Sequence, residues 1–350
     1  MPDTETPGEF ELIKRYLAPL SANEPGAYSL TDDAAVIPSR AGHDVVITMD
    51  TLVSGVHFLA DTEPEHIAAK VVRVNMSDLA AMGARPAFYT LSLALPKNPR
   101  GGSGQKTDGL WLERFSEALG IEQRIYDISI IGGDTVSTPG PLTLTITAFG
   151  YVEAGQAIRR STANQGDLVV VSGTIGDAAF GLSALKGELA ALSKSSREIV
   201  VERHNRPLPQ IELGLRLRNF AGAAIDVSDG LIQDLGHICT ESGVTAVVEL
   251  EKVPTSPAVR EAMERTHREK KDILSGGDDY QLLFTIASWR QAELQEISKE
   301  IGVELTVIGK IGQKLPPTGV DNLVSASAGV VVVDGDGSPI DSAFAGFRHF

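Results

Sequence analysis

Residues 70–84 read Lys70-Val71-Val72-Arg73-Val74-Asn75-Met76-Ser77-Asp78-Leu79-Ala80-Ala81-Met82-Gly83-Ala84. Good helix formers without an interior proline predict a helix, and Gly83 is placed to end it. One set of positions recurs at the spacing of a single buried helix face: Ile67, Val71, Val74, Asp78 and Ala81. The pattern therefore puts the carboxylate of Asp78 in an apolar stripe, with Asn75 one turn before it.

Asp78 is one of several aspartates at positions where a carboxylate could bind a ligand. A carboxylate in an apolar stripe is costly unless a cation or several donors meet it. For a single aspartate, nearby backbone donors are the ordinary explanation. Further aspartates lie at predicted strand ends or adjoining turns, most beside glycine, serine or threonine: Asp33, Asp50, Asp134, Asp226, Asp229 and Asp278. Each alone is typical of a turn, but together they form a pattern that capping does not require.

This set of oxygen donors predicts a magnesium site. Aspartate oxygens and hydroxyls suit hard divalent cations, Mg²⁺ above all, and several Mg²⁺ ions without a nucleophile suit phosphoryl transfer. In Gly132-Gly133-Asp134-Thr135, two glycines let backbone N–H groups approach a phosphate, while Asp134 could hold the bridging metal. Arg160 could offer its guanidinium to phosphate oxygens, with a solvated surface arginine as the alternative.

Two other motifs leave their interpretation open. His57 follows Asp50-Thr51-Leu52-Val53-Ser54-Gly55 on a predicted loop, where a histidine is either a surface residue or a substrate contact. No Ser-His-Asp arrangement surrounds it, so no catalytic nucleophile is predicted. Gly173-Thr174-Ile175-Gly176 follows a strand and opens a helix, which is the setting of an anion site at a helix N-terminus. For this loop, tight packing of strand against helix is the favoured alternative.

The composition limits the classes of protein to consider. The chain has 350 residues, enough for two domains with cores, and its net charge of −15 argues against a nucleic-acid partner. The single cysteine, Cys239, excludes an internal disulfide or a cysteine-rich zinc site and is predicted to lie in a core. No apolar run reaches the length of a membrane span, and Met1-Pro2-Asp3-Thr4-Glu5 lacks signal-peptide features. A cytoplasmic protein without a membrane partner is expected.

Strands and helices are mixed in both halves of the chain without strict βα alternation. This pattern predicts an α+β fold rather than a doubly wound sheet. It relaxes around residues 152–165, so two domains are predicted, 1–152 and 153–350. The predicted strands beside the acidic residues include residues 34–38, after Asp33, and residues 44–49, before Asp50.

Four motifs, in this order, resemble the thiamine-monophosphate kinase family of the aminoimidazole ribonucleotide synthetase-like superfamily. They are Val74-Asn75-Met76-Ser77-Asp78-Leu79-Ala80-Ala81-Met82-Gly83-Ala84, Gly132-Gly133-Asp134-Thr135, Ile225-Asp226-Val227-Ser228-Asp229-Gly230-Leu231 and Ser275-Gly276-Gly277-Asp278-Asp279-Tyr280. The resemblance implies that the N-terminal domain binds ATP and Mg²⁺ and pairs in a homodimer, while the C-terminal α+β domain completes the active-site cleft. It also implies ATP-dependent phosphorylation of thiamine monophosphate to thiamine diphosphate, by direct in-line transfer assisted by several Mg²⁺ ions.

Carried over by position, the resemblance implies three sets of site residues. The ligands of Mg²⁺ would be Asp33, Thr48, Met49, Asp50, Asp78, Asp134, Asp226 and Asp229. The residues in contact with ATP would be Gly133, Asp134, Arg160 and Ser228. The residues in contact with thiamine monophosphate would be His57, Asp278 and the aromatic ring of Phe347.

The chain departs from the usual pattern of the family at four places. Ser29-Leu30-Thr31 stands where Gly-Ile-Gly is frequent, and Met49 could bind a metal only through its main-chain carbonyl. Asp278 stands in place of a glutamate and is one methylene shorter. Phe347 stands in place of a tyrosine or tryptophan, so it can stack on a ring but has no polar group.

Other members of the superfamily explain the motifs less well. Selenophosphate synthetase has a cysteine or selenocysteine near the N-terminus, and this chain has neither. The hydrogenase-maturation relative ends in a reactive cysteine, whereas this chain ends in Gly346-Phe347-Arg348-His349-Phe350. Aminoimidazole ribonucleotide synthetase shares the acidic turns but accounts less well for residues 75–83. A non-catalytic nucleotide-sensing dimer is an alternative of another class, and it predicts ATP binding without turnover.

Overall fold

The structure, a computed structural model, describes residues 8–97, 107–314 and 329–340. Its contacts divide the chain into two compact units. Unit 1 extends to Leu79 and resumes over Ala84–Gly155, whereas unit 2 takes Ala80–Gly83 and continues from Gln156. The sequence-based division at residues 152 and 153, with a separate role for each domain, stays a prediction.

Unit 1 contains a four-stranded sheet in the order β1-β4-β2-β3. Strand β4 is antiparallel to β1 and to β2, while β2 and β3 are parallel. The elements are α1 (Glu9–Leu12), β1 (His43–Val53), α2 (Pro64–Ala81), β2 (Arg85–Pro96), α3 (Gly109–Tyr126), β3 (Ser129–Thr138) and β4 (Thr143–Glu153). A π-helical turn and two 3-10 turns follow α1: Ile13–Leu17, Ala18–Ser21 and Pro25–Leu30.

Helix α2 is the helix predicted from residues 70–84. Gly83 adopts a φ of +67° just beyond its end, a conformation that glycine adopts without steric cost. Ile67 and Val74 of the predicted stripe are buried, whereas Asp78 is half-buried. Burial also extends to polar side chains outside the stripe: Lys70, Arg73, Asn75 and Ser77. The helix is therefore enclosed on more than one face, which a single stripe does not predict.

One face of the sheet of unit 1 is buried, and the opposite face is partly exposed. Alternate residues of the central strands fill the buried face, among them Leu91, Leu93, Leu144 and Ile146, each at most 1% exposed. Exposed apolar side chains lie on the opposite face, which we call the open face of unit 1: Val45, Ile47, Met49 and Val136. Three of these belong to β1, an edge strand of the sheet.

Unit 2 contains a six-stranded sheet in the order β10-β7-β9-β5-β8-β6. Its pairs are antiparallel except for β10 and β7, which are parallel. The elements are β5 (Leu168–Ser172), α4 (Asp177–Leu185), α5 (Lys194–Asn205), α6 (Ile211–Leu217), β6 (Ala224–Asp226), α7 (Leu231–Ser242), β7 (Val244–Glu249), α8 (Pro257–Thr266), β8 (Leu282–Ile286), α9 (Glu293–Ile301), β9 (Leu305–Lys314) and β10 (Val330–Val333). The prediction of an α+β fold is confirmed. Among the helices of the described ranges, none has the length and apolar composition to span a bilayer.

Residues 34–38 were predicted as a strand, and that prediction is wrong. They follow an irregular path, and the N–H of Val36 donates to the carbonyl of Gly26 at 2.9 Å instead of to a neighbouring strand. The Tyr151 hydroxyl, from strand β4, donates to the carbonyl of Pro38 at 2.7 Å. These hydrogen bonds join residues 34–38 to a loop and to a side chain rather than to a neighbouring strand. The apolar residues of the segment are therefore not sufficient evidence of a strand.

Candidate active site

Strand β1 and helix α2 hold three predicted ligands, Thr48, Asp50 and Asp78, together with Asn75, and we call these four residues the β1/α2 group. The Thr48 hydroxyl donates to Oδ2 of Asp78 at 2.5 Å, and the N–H of Asp50 donates to Oδ1 of Asn75 at 3.2 Å. Thr48 and Asp50 are two residues apart, so their side chains share one face of β1. Met49 points to the other face and is 63% exposed. Toward this group it has only its main chain to offer, as the sequence indicates.

Asn75 is a member of this group to which the sequence interpretation gave no role. Its side chain is buried, and its Nδ2 donates to the carbonyl of Val71 at 3.0 Å. The amide oxygen is therefore the atom directed to the N–H of Asp50. Asn75 thus connects α2 to β1 beside Asp78, which is a half-buried carboxylate rather than a member of a fully buried stripe.

His57 lies in the turn that follows β1. The N–H of Val53 donates to His57 Nδ1 at 3.0 Å, while the carbonyl of Val53 accepts from the N–H groups of Val56 and His57 at 3.1 and 3.0 Å. From α2, the Nζ of Lys70 donates to the carbonyl of His57 at 2.9 Å. The turn thus holds the half-buried imidazole just beyond the end of the strand that carries Asp50.

Asp33, Gly133 and Asp134 line one cavity of about 280 Å³ in unit 1. Both aspartates are exposed. Gly133 has a φ of +154°, and a Cβ at this position would overlap the carbonyl oxygen of Leu91. The position therefore requires glycine, and it leaves the backbone of β3 open to an approaching ligand.

The two sets of predicted ligands in unit 1 lie apart from each other. The strand register aligns Asp50 with Ile146, Ile146 with Leu91, and Leu91 with Gly133. Three strand spacings, roughly 14 Å, therefore separate Asp50 on one edge strand from Gly133 and its neighbour Asp134 on the other. Within one chain, the structure does not bring Asp50 and Asp134 together around one ion.

In unit 2, two acidic turns pack against each other, and we call them the acidic turns of unit 2 (residues 226–234 and 275–280). The N–H of Asp278 donates to the carbonyl of Ser228 at 2.8 Å, and a Cβ on Gly277 would overlap the same oxygen. Asp226 ends β6 and is 3% exposed, while Asp229 is half-buried. The structure therefore brings the predicted site residues of these two motifs close together.

Asp234 organises the first of these turns, and the sequence interpretation missed it. Its Oδ2 accepts the N–H groups of Ser228, Asp229 and Gly230, each at 3.1 Å. Burial, together with the negative charge of Asp229, raises the pKa of Asp234 to about 7. Ligand atoms of Asp229, Asp234 and His237 lie within 4.8 Å of one another. An acidic residue in the first turn of a helix that follows a glycine turn is the signal that could have found it.

Asp279 belongs to the second turn and caps helix α4. Its Oδ2 accepts the N–H of Gly176 at 2.7 Å and its Oδ1 that of Ala178 at 3.2 Å. Burial raises the pKa of Asp279 well above the ordinary range of an aspartate. The carboxylate of Asp279 thus occupies the N-terminus of α4, where an external anion would otherwise bind. This agrees with the interpretation that Gly173-Thr174-Ile175-Gly176 serves packing rather than anion binding.

Asp278 lies beside two residues that the sequence interpretation did not single out. The Tyr280 hydroxyl donates to Oδ1 of Asp278 at 3.2 Å, and Nδ1 of His204 on α5 is 3.7 Å from Oδ2. His204 is 3% exposed. These neighbours orient the carboxylate of Asp278.

The remaining predicted residues are Arg160 and Phe347. Arg160 begins a 3-10 turn, Arg160–Thr162, and is exposed, while its carbonyl accepts from the Ser242 hydroxyl at 2.7 Å. Phe347 lies outside the residues that the structure describes.

Known protein families match both parts of the chain. Residues 31–152 match the family of AIR synthase related proteins, N-terminal domain, and residues 164–318 match its C-terminal domain. The thiamine-monophosphate kinase of Salmonella typhimurium is 39% identical over 344 residues, which cover 98% of each chain. The crystal structure of thiamine-monophosphate kinase from Stenotrophomonas maltophilia is similar with a TM-score of 0.75 and 42% identity, over 89% of this chain and 90% of that one. A structure of AaThiL complexed with AMPPCP and TMP has a TM-score of 0.74 and 29% identity, over 98% and 97% of the two chains.

Proposed function

The chain belongs to the thiamine-monophosphate kinase family, and on that premise we propose how its residues perform the reaction. It is an enzyme that uses ATP to phosphorylate thiamine monophosphate, and the added phosphate makes the product thiamine diphosphate. The observation that carries this function is the 39% identity with a thiamine-monophosphate kinase over 98% of both chains. The solved relative that holds AMPPCP and TMP agrees with it.

The proposed route is direct in-line transfer from ATP to the substrate phosphate, without a covalent enzyme intermediate. Cys239 is fully buried, and burial raises the pKa of its thiol to about 12. It is therefore a neutral thiol at physiological pH and not a nucleophile. Phosphoryl transfer of this kind depends on positioning and charge neutralisation, which carboxylates, glycine N–H groups and arginine can provide.

The donor set fits Mg²⁺. In the β1/α2 group, the hydroxyl of Thr48 and the carboxylate of Asp78 meet on the face of β1 that also carries Asp50. Such a cluster of oxygen atoms suits a hard cation. The ions would be held by Asp33, Thr48, Met49, Asp50, Asp78, Asp134, Asp226 and Asp229. Bound Mg²⁺ supplies neutralisation of the phosphate charge, and the separation of Asp50 from Asp134 supports more than one ion.

The chain's own residues would position the two substrates. Gly133, Asp134, Arg160 and Ser228 would contact ATP, with the backbone of Gly133 accessible because the residue has no side chain. His57, Asp278 and Phe347 would contact thiamine monophosphate. Support for these contacts comes from the shared cavity of Gly133 and Asp134 and from the packing of the Ser228 turn against that of Asp278.

The homodimer and the cytoplasmic location belong to the same proposal. The open face of unit 1 displays Val45, Ile47 and Met49 at 48%, 60% and 63% exposure, all on one side of an edge strand. A second copy of the chain would bury this apolar surface, whose exposure in a monomer is unfavourable. The cytoplasm is the proposed location because the reaction consumes ATP.

The activity is tested with purified protein, Mg-ATP and thiamine monophosphate, in parallel with free thiamine. We expect ADP and thiamine diphosphate in equal amounts from the monophosphate. Binding of ATP without either product would contradict the kinase function and favour a nucleotide-sensing protein. Product from free thiamine alone would move the activity to a different acceptor.

The dimer is tested with the variant Ile47→Asp, which places a charge in the open face of unit 1. We expect sedimentation to give a dimer for the wild type and mainly monomer for the variant. The control Val331→Asp changes an exposed valine of unit 2 in the same way and should stay dimeric. A monomeric wild type, or a variant that dimerises equally well, would contradict pairing through this face.

A further inference from the structure

Lys70 is a buried cation that the proposed reaction does not use. It lies on α2 with 2% exposure, and its Nζ donates to the main-chain carbonyl of His57 at 2.9 Å. A buried ammonium group is costly unless hydrogen bonds or opposite charge compensate it. An apolar side chain would fill the same helix position at lower cost. One hydrogen bond of this ammonium group goes to the His57 turn.

The turn that Lys70 contacts is closed by hydrogen bonds on both sides of Val53. The N–H of Gly55 donates to the carbonyl of Phe58 at 2.7 Å, and Gly55 adopts a φ of +83°. The carbonyl of Val53 accepts from the N–H of His57, and the N–H of Val53 donates to the imidazole Nδ1. Val53 thus binds both the imidazole ring and the backbone N–H of His57.

This geometry determines the tautomer of His57. A backbone N–H can only donate, so Nδ1 must be an unprotonated acceptor, and the proton of the neutral ring lies on Nε2. The Lys70 ammonium, on the carbonyl of the same residue, holds the turn in the position that this bond requires. Without it, the carbonyl of His57 loses this donor, and the turn is held only by its own hydrogen bonds.

We propose that Lys70 is a positioning residue that holds His57 as the Nε2–H tautomer, so that Nε2 donates a hydrogen bond to an acceptor atom of thiamine monophosphate. This inference rests on the substrate contact proposed for His57. It assigns a direction to that contact and gives a use to the buried ammonium of α2.

The tautomer is tested in ligand-free protein by ¹⁵N NMR of the imidazole nitrogens, with the His57 signals assigned by their absence in His57→Gln. We expect an unprotonated Nδ1 and a protonated Nε2 in the wild type. In Lys70→Met, which keeps an unbranched side chain but removes the donor, we expect averaging between the two tautomers. A protonated Nδ1 in the wild type, or an unchanged spectrum in Lys70→Met, would overturn the proposal.

Steady-state kinetics test the direction of the substrate contact. In His57→Asn, the amide oxygen can accept from Val53 but no donor stands at the Nε2 position, whereas His57→Gln can place its amide N–H there. We expect the KM for thiamine monophosphate to rise about tenfold in His57→Asn and about threefold or less in His57→Gln, with the KM for ATP unchanged. Equal effects of the two substitutions would contradict a donor at Nε2.

Lys70 variants separate positioning from a merely structural role. Lys70→Met should raise the KM for thiamine monophosphate several-fold with little change in kcat, and Lys70→Arg, which keeps a cationic donor, should restore it. Arg73→Gln is the matched control, because it breaks a buried ion pair of the same helix, Arg73 with Glu122 at 2.8 Å. It should lower stability without altering the His57 tautomer or this KM. If Arg73→Gln has the same effects as Lys70→Met, the role of Lys70 is structural only.

The two proposals fail in different ways. The NMR experiment needs no substrate, so a wild-type enzyme without thiamine-monophosphate kinase activity would remove the proposed substrate contact and leave the tautomer measurable. An active enzyme whose His57 carries its proton on Nδ1 would leave the kinase function intact and remove the role assigned to Lys70.

Discussion

In the β1/α2 group, the carboxylate of Asp78 is half-buried and accepts a hydroxyl, whereas in the acidic turns of unit 2 the carboxylates of Asp234 and Asp279 are almost fully buried and accept backbone N–H groups. The residue type is the same and the surroundings differ. A hydroxyl can turn toward other partners when a ligand binds. Backbone N–H groups at a turn cannot, so a carboxylate bonded to them is committed to the fold.

The acidic turns of unit 2 show a division of labour between neighbouring aspartates. Asp234 fixes the turn that carries Asp229, and Asp279 follows Asp278 directly while it caps α4. In each case one buried carboxylate fixes the backbone and a less buried one remains at the surface of the turn. A cluster of aspartates in sequence therefore overstates the number of ligands, because part of the cluster builds the turn.

The largest expected effect is that of Asp78→Asn on activity. The amide oxygen can still accept from Thr48, so the fold should be kept, but the negative charge is lost. We expect kcat/KM for thiamine monophosphate to fall on the order of a thousandfold, with unfolding changed by less than about 1 kcal/mol. Coupled ADP release and calorimetry measure both. The control Asp61→Asn, at an exposed position of unit 1, should change neither. Full activity of Asp78→Asn would make Asp78 structural, like Asp279.

The next effect is that of Asp279→Ala on stability. Loss of this side chain leaves the N–H groups of Gly176 and Ala178 without their acceptor. We expect the free energy of unfolding to fall by about 2–4 kcal/mol in chemical denaturation. The sharper comparison is with Asp272→Ala, which removes a carboxylate from an exposed capping box and should cost less than about 1 kcal/mol. Equal losses would mean that the burial of Asp279 adds nothing.

Asp279 also predicts a dependence of stability on pH. Its folded pKa is raised by burial, so above about pH 4 the folded state holds a proton that the unfolded chain has lost. The contribution of Asp279 to stability is therefore full below that pH and declines as pH rises toward the raised pKa. Denaturation of the wild type and Asp279→Asn across pH 4–8 measures it, since the asparagine cannot ionise. Parallel pH profiles of the two proteins would contradict the raised pKa.

The smallest expected effect is that of Tyr280→Phe, which removes only the hydroxyl that donates to Asp278. We expect the KM for thiamine monophosphate to rise by roughly threefold to tenfold, with stability nearly unchanged. Tyr126→Phe removes a hydroxyl in unit 1 and serves as the control. An unchanged KM would mean that Asp278 needs no fixed orientation for its contact with the substrate.

The sequence predicts the local part of the site well. Residues 70–84 predict helix α2 and its end at Gly83, and the strand of Asp50 is found within β1. The sequence prediction fails for residues 34–38, whose apolar side chains suggest a strand. The N–H of Val36 donates to the carbonyl of Gly26, so it is not available to a neighbouring strand. Short apolar runs do not distinguish these outcomes.

The sequence could not predict which residues accept hydrogen bonds from distant backbone groups or orient the site carboxylates, because their partners lie far away in the chain. Asp279 accepts the N–H of Gly176, more than a hundred residues earlier, and Asp278 faces His204 from another helix. Periodicity tells which residues share a face of one element. It does not tell which other element that face meets, so the roles of Asn75 and Lys70 also appeared only with the structure.

The sequence by itself determined the family, through four motifs spread along the chain. It also determined the α+β class, the helix to which residues 70–81 belong and the residue types available for a magnesium-assisted reaction, because these depend on local pattern and composition. The tertiary structure decided which aspartates build turns and which remain available to a ligand. It also set the distance between Asp50 and Asp134 across the sheet. The capping role of Asp279 and this distance depend on partners far apart in the chain, and only long-range packing brings such partners together.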